Sequence, residues 1–176
     1  MKTLLSETEL QQGVEELAME IASYYGDRPV TIVAVMTGSL VLLADLIRQL
    51  NMPIRVSLIQ ASSYRGGTSS GDLVLKDDMM LDIQSRDVLV LDDIFDTGKT
   101  LKAVLEGLDK MNPSSLRSAV LLHKKGRQEV ELEPDFVAFH IPDEFVVGYG
   151  LDFQDLYRNL PFLAVLEEHE ISQPVG

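Results

Sequence analysis

The sequence predicts an α/β domain with a mostly parallel central sheet flanked by helices, and three observations carry that expectation. Short runs rich in Val, Ile and Leu alternate along the chain with segments of helical apolar spacing, the pattern of βαβ units. The run VLVL over residues 88–91 is apolar at every position, as a strand covered on both faces of a parallel sheet has to be. The chain has 176 residues, 45% of them hydrophobic, which is enough for one core of domain size, and no internal repeat or linker divides it. A single domain over 1–176 is expected.

The elements follow in order. Ser6 and Glu9 have capping-box spacing, and Leu10, Val14, Leu17, Ala18 and Ile21 recur at helical intervals until Gly26 stops the helix. A strand over 30–36 is expected next, then a helix over 40–50 ending at Asn51, then a partly alternating strand over 54–61. Residues 62–72, SSYRGGTSSGD, have almost no apolar content and no period, so they form a long loop of the kind that often serves as a functional lid. Beyond it the patterns predict strands over 73–75 and 87–91 and a helix over 99–111 that ends before Asn112-Pro113. Further strands are expected over 116–122, 136–141 and 162–166.

Composition narrows the function. The absence of cysteine rules out a disulfide framework and a thiolate metal site and fits a cytoplasmic protein. The opening MKTLLSETEL turns acidic too soon for a secretory signal. The longest apolar stretch, 30–44, is broken by Thr37, Gly38 and Ser39 and is too short for a bilayer, so no membrane partner is expected. A net charge of −13 argues against a nucleic-acid partner, because neutralising a phosphate backbone takes many Lys and Arg. His123, His140 and His169 lack H-x-x-x-H or H-x-H spacing, which speaks against a zinc site, and Glu167 to Glu170 reads as a solvated acidic tail.

The chemistry concentrates in VLVLDDIFDTGKTL, residues 88–101. An apolar strand ends in Asp92 and Asp93, and ligands of open α/β sheets bind beyond the carboxyl ends of the strands. Asp96, Thr97, Gly98, Lys99 and Thr100 then offer backbone N–H groups, two hydroxyls and a cation where a helix begins, a set suited to a phosphate monoester. Gly98-Lys99-Thr100 also matches the end of a nucleotide P-loop, but that motif needs a glycine five residues before Gly98, where this chain has Asp93. Helix capping accounts for one acid before a helix; three Asp plus Thr-Gly-Lys-Thr within nine residues exceed it.

An apolar strand, two acids, two mostly apolar residues and Asp-Thr-Gly-Lys-Thr resemble the phosphoribosyl-pyrophosphate signature of the type I phosphoribosyltransferases. The resemblance implies their fold, in which a small hood and a flexible lid loop stand over the parallel sheet. It implies that Asp96, Thr97, Gly98, Lys99 and Thr100 bind the 5-phosphate and that Asp92 and Asp93 bind the ribose. Ionised carboxylates only accept hydrogen bonds, and vicinal hydroxyls donate them. Relatives usually carry a glutamate where this chain has Asp92, one methylene shorter.

Other segments extend the resemblance from about residue 30 to about residue 166. Met36-Thr37-Gly38-Ser39, a strand-to-helix turn, corresponds to the pyrophosphate loop, with Thr37 where many relatives have a basic residue. Ser63 and Tyr64 resemble the lid residues that exclude water from the reacting sugar. Lys124 stands where the family donates to the 6-oxygen of a purine; lysine has donors only, so a 6-oxo base is accepted and adenine rejected. The segment 142–160, PDEFVVGYGLDFQDLYRNL, resembles the end of the members that act on hypoxanthine and guanine. There Phe145 stacks on the base, Val146 reads its edge through the backbone, Asp152 completes the purine side and helps hold magnesium, and Arg158 grips pyrophosphate with Thr37 and Gly38.

The implied reaction moves a 5-phosphoribosyl group from phosphoribosyl pyrophosphate to a 6-oxopurine. Asp96 is the expected catalytic base toward N7, and Asp92, Asp93 and Asp152 are the expected Mg2+ ligands. Charge alone points to magnesium, because an acidic chain has to take a strongly anionic substrate. The resemblance implies a homodimer or homotetramer. Two other readings are a regulatory protein of the same fold that binds RNA, which would need a basic face, and a transferase for uracil or orotate, which Lys124 and the Phe145 segment do not suit.

Overall fold

A computed structural model describes residues 1–60 and 81–171 of the protein. The chain opens with a short strand, β1 (Lys2–Leu5), and Ser6 then caps helix α1 (Glu7–Tyr25). The cap is the reciprocal box read from the sequence. Ser6 Oγ accepts from the Glu9 N–H at 3.3 Å, and the Ser6 N–H donates to Glu9 Oε2 at 2.8 Å. Leu10, Val14, Leu17, Ala18 and Ile21 form the buried face, and Gly26 at φ +59° ends the helix.

Strand β2 (Val30–Met36), helix α2 (Leu40–Ile47) and strand β3 (Ile54–Gln60) make the first βαβ unit. Strand β4 (Asp87–Phe95), helix α3 (Lys99–Asp109) and strand β5 (Ser115–Lys124) make the second, and β6 (Phe136–Ile141) follows. These strands form a five-stranded sheet in the order β3-β2-β4-β5-β6, parallel throughout. Successive side chains of a strand serve opposite faces. Ile32, Ala34, Leu89 and Leu91 pack with α1 and α2, whereas Val33, Val35, Val88 and Val90 pack with Leu101, Val104 and Leu108 of α3. Two buried faces explain why β2, with buried Thr31 as its one polar residue, and residues 88–91 of β4 read as apolar runs.

The parallel sheet and both flanking layers match the expected fold class. Some boundaries differ. β4 does not stop at residue 91; it runs on through Asp92 and Asp93 to Phe95, because β5 keeps pairing with it as far as Phe95 opposite His123. β5 likewise extends past the expected residue 122 to Lys124, which pairs with Ile141, so this lysine ends the strand. α2 is shorter than the expected 40–50: Gln49 N–H donates to Leu46 O at 3.0 Å, a tight last turn, while Leu50 stays buried in the same core. α3 ends at Asp109.

The hood contains one strand that the patterns did not predict, β1, and a second, β7 (Val146–Val147), where composition makes Val146 and Val147 core or strand residues. β1 and β7 flank β8 (Leu163–Val165) in an antiparallel sheet of order β1-β8-β7. Its strands are too short to carry a period. The expected acidic tail is partly a short helix, α4 (Glu168–Ile171), where Glu170 pairs with the Met1 amino group at 2.6 Å. The strand expected over 73–75 lies outside the described residues.

Helix α1 packs against β6 at Gly13, where an added Cβ would lie 2.0 Å from the Phe139 ring. Gly13→Ala improves helix propensity yet overfills this contact, and a loss of about 1–3 kcal/mol is expected. A lowered urea midpoint at unchanged m checks it; a raised midpoint would show slack between α1 and the sheet.

Candidate active site

The site lies where two neighbouring strands separate. β2 and β4 pair from Val30 opposite Asp87 to Ala34 opposite Leu91, and then part. The chain has run from β2 outward to β3 and returned to β2's other side as β4, so the direction of winding reverses here. Such a switch leaves a crevice at the carboxyl ends of the strands. A cavity of about 290 Å³ occupies it.

One wall is the loop between β4 and α3. Gly98 takes φ +81° as the residue before α3, and a Cβ there would collide with Phe95 and Val130, so the loop is pressed onto the core. Thr97 Oγ1 accepts from the Lys99 N–H at 3.4 Å, and Thr97 O accepts from the Glu129 N–H at 3.0 Å. Asp96, Thr97, Gly98 and Thr100 line the cavity at the N-terminus of α3, where free N–H groups and the helix dipole favour an anion. The Lys99 side chain does not join them: it is exposed and ion-paired with Glu129.

Asp92 and Asp93 form the floor. Asp92 is buried, and its Oδ1 accepts from the Asp93 N–H at 3.0 Å; Asp93 Oδ1 accepts from the Ile94 N–H at 2.9 Å. Burial first, and the adjacent Asp93 charge second, push the Asp92 carboxyl well above the ordinary carboxylate range. Burial also raises Asp93, against hydrogen bonds to Asp92 and backbone N–H groups and the field of Arg158.

The opposite wall is the turn between β2 and α2. Gly38 has no room for a side chain, since a Cβ would stand 1.7 Å from Asp93 Oδ2. Its carbonyl faces Gly150, whose Cβ would come within 2.2 Å of it. Ser39 Oγ donates to Val35 O at 2.6 Å and closes the turn, and the Met36–Thr37 peptide is cis. Arg158 donates from Nη1 to Gly150 O at 2.8 Å, and its Nη2 is ion-paired with Asp152 Oδ1 at 2.8 Å. Tyr149 donates to Asp45 Oδ2 on α2 at 2.6 Å, and burial raises its phenol. Thr37, Gly38, Asp92, Asp93, Asp152 and Arg158 are thus gathered around one cavity.

The third group lies beside it. Lys124, buried at 8% exposure, places Nζ 3.4 Å from Asp96 Oδ2. Arg127 Nε lies 3.0 Å from Asp96 Oδ1, and Asp143 Oδ1 lies 3.8 Å from Lys124 Nζ and 3.7 Å from Arg127 Nε. Asp143 belongs to the connection from β6 to β7, which also carries Phe145. Phe145 is an exposed aromatic at 42%, edge-on to Phe153 at 5.6 Å, and Val146 is buried in β7. Lys124, Phe145 and Val146 do not line the cavity itself. Ser63 and Tyr64 lie outside the described residues.

Arg127 and Asp143 were not singled out by sequence reasoning as partners of Asp96. The 31-residue separation of Arg127 from Asp96 has no period to reveal their contact. The carboxylates fit magnesium by donor chemistry. Asp92, Asp93 and Asp152 offer hard oxygen ligands, and Arg158 is the cation that lines the cavity with them. Among the described residues the one group of acids and histidine whose ligand atoms all lie within 4.8 Å of one another is elsewhere, Glu167, His169 and Glu170 at the surface, with Glu170 bound to the chain's amino group.

A family model of the phosphoribosyl transferase domain matches residues 1–154, and the chain belongs to that family. Its relatives include the hypoxanthine-guanine phosphoribosyltransferase of Staphylococcus epidermidis, 40% identical over 171 residues, which are 97% of this chain and 96% of the relative. The enzyme of the same name from Aquifex aeolicus is 41% identical over 170 residues, 96% of each chain. A crystal structure of a hypoxanthine-guanine phosphoribosyltransferase from Bacillus anthracis superposes with a TM-score of 0.89 at 39% identity, covering 95% of this chain and 99% of that one.

The raised Asp92 carboxyl has a consequence for stability. A carboxyl whose folded pKa is raised lends stability below its unfolded pKa of about 4 and loses it as pH climbs through the folded value. Asp92→Asn is therefore expected to raise Tm at neutral pH by about 2–8 °C in metal-free buffer, with the gain shrinking on acidification toward pH ~4. Calorimetry across that range checks it; a gain independent of pH would contradict the buried-charge account.

Proposed function

We propose that this protein transfers the 5-phosphoribosyl group of phosphoribosyl pyrophosphate to a 6-oxopurine, hypoxanthine or guanine, forming IMP or GMP and releasing pyrophosphate. The observation that carries the reading is the 3.4 Å pair of Lys124 Nζ and Asp96 Oδ2. Oxygen 6 and N7 are neighbours on one edge of the purine; the first accepts a hydrogen bond and a protonated N7 donates one. A fixed ammonium beside a fixed carboxylate complements that edge. An amino group at position 6 would instead place a donor against a donor.

The remaining contacts supply position and charge. The N–H groups of the 96–100 loop hold the 5-phosphate, and Asp92 and Asp93 accept from the ribose hydroxyls. Asp96 takes the N7 proton while N9 attacks the sugar carbon. Arg158, with the Thr37–Gly38 backbone, receives the departing pyrophosphate; its planar donor fork suits that charge. Asp92, Asp93 and Asp152 would hold Mg2+, which when bound neutralises phosphate charge beside these acids. Phe145 offers a face for the base and Val146 a backbone edge, with Ser63 and Tyr64 assigned to the lid. A cytoplasmic homodimer or homotetramer is the matching assembly.

Pyrophosphate release is to be measured with hypoxanthine, guanine, xanthine, adenine, uracil and orotate. Turnover is expected with hypoxanthine and guanine and not with adenine, uracil or orotate; failure with every 6-oxopurine would sink the reading. Asp96→Asn is expected to lower kcat about 100-fold while leaving binding of phosphoribosyl pyrophosphate nearly unchanged. Equal losses in both would count against a base. Turnover should vanish in EDTA and return with magnesium; full activity in EDTA would refute the metal assignment.

A further inference from the structure

We propose that Arg127, anchored by Asp143, is a positioning residue for Asp96, an inference that rests on the transferase reading above. Asp96 is 34% exposed on a loop, and an exposed carboxylate left to itself turns among several rotamers. Only an orientation that turns one oxygen to the purine is useful. The two oxygens of Asp96 are already divided: Oδ1 meets Arg127 Nε at 3.0 Å, and Oδ2 lies beside Lys124 Nζ at 3.4 Å. A charge-assisted bond on Oδ1 fixes the torsion that presents Oδ2 next to the lysine, so one oxygen serves the protein and the other serves the base.

Asp143 completes the device. Its Oδ1 stands 3.8 Å from Lys124 Nζ and 3.7 Å from Arg127 Nε, between the two cations. Arg127 lies on the turn after β5, Asp143 precedes Phe145 on the connection after β6, and Asp96 lies after β4. The four charges therefore tie together the three segments that carry the proposed base, the 6-oxo donor and the stacking ring. Arg127 is 47% exposed and Asp143 52%, so solvent screening keeps their contribution to folding small. Their effect falls on geometry, where a small misplacement of a catalytic group is costly.

The test compares Arg127→Gln, Asp143→Asn and the double variant Asp96→Asn/Arg127→Gln with wild type and with Lys125→Ala, a neighbouring cation outside the network. Activity of the wild-type chain on a 6-oxopurine is established first; its absence removes the transferase reading before any variant is judged. Given that activity, Arg127→Gln is expected to lower kcat about 5- to 20-fold with KM for phosphoribosyl pyrophosphate and Tm nearly unchanged. Asp143→Asn should give a smaller loss in the same direction, and Lys125→Ala none. In the Asp96→Asn background Arg127→Gln should cost nothing further, because the group it positions is gone. An unchanged or raised kcat for Arg127→Gln, a loss confined to KM for phosphoribosyl pyrophosphate, or full additivity with Asp96→Asn would overturn the proposal.

Discussion

The parting of β2 from β4 after Leu91 is the constraint on which the rest of the molecule depends. From Val88 to that point β4 is hydrogen-bonded on both edges and covered on both faces, and its side chains are all apolar and buried. Beyond it β4 keeps β5 as a partner but loses β2, and polar groups become tolerable along the freed edge. Asp92 and Asp93 stand at that transition. The same parting leaves the turn after β2 free to approach from the opposite side, so the two walls of the cavity face each other across a gap set by sheet topology.

That geometry explains the electrostatic character of the site. A carboxylate at the surface would be solvated and ordinary; at the base of the crevice Asp92 is buried with another acid next to it, and its charged form is disfavoured. The cost is compatible with a group that meets a cation or a donor-rich ligand in use. Gly38 shows how closely the walls are set, since its α-carbon rests against the Asp93 carboxylate where any side chain would collide. Gly150, packed on the Gly38 carbonyl, joins this wall to the 148–158 segment, which Arg158 braces through the Gly150 carbonyl and Asp152.

Much of this was legible in the chain. The capping box at Ser6, the apolar runs of β2 and β4 and the acid-rich 92–100 segment all announce themselves locally, because propensity, burial period and loop chemistry are properties of neighbouring residues. Boundaries set by a partner strand were not legible. The extension of β4 to Phe95 and of β5 to Lys124 comes from their mutual pairing and from β6, and no local pattern reports a partner. The hood strand β1 was not legible for the same reason: four residues hold no period, and they become a strand by pairing with β8.

By itself the sequence determined the fold class, the order of its βαβ units and the residue types able to bind phosphate, hydroxyls and a 6-oxo group, since each follows from side-chain chemistry at short spacing. Only the tertiary structure decided which of those groups cooperate. It turned Lys99 outward to Glu129, placed Lys124 at a strand end beside Asp96, and recruited Arg127 and Asp143 to the same carboxylate. Charges that meet across the ends of β4, β5 and β6 are brought together by the sheet, and distance along the chain carries no trace of them.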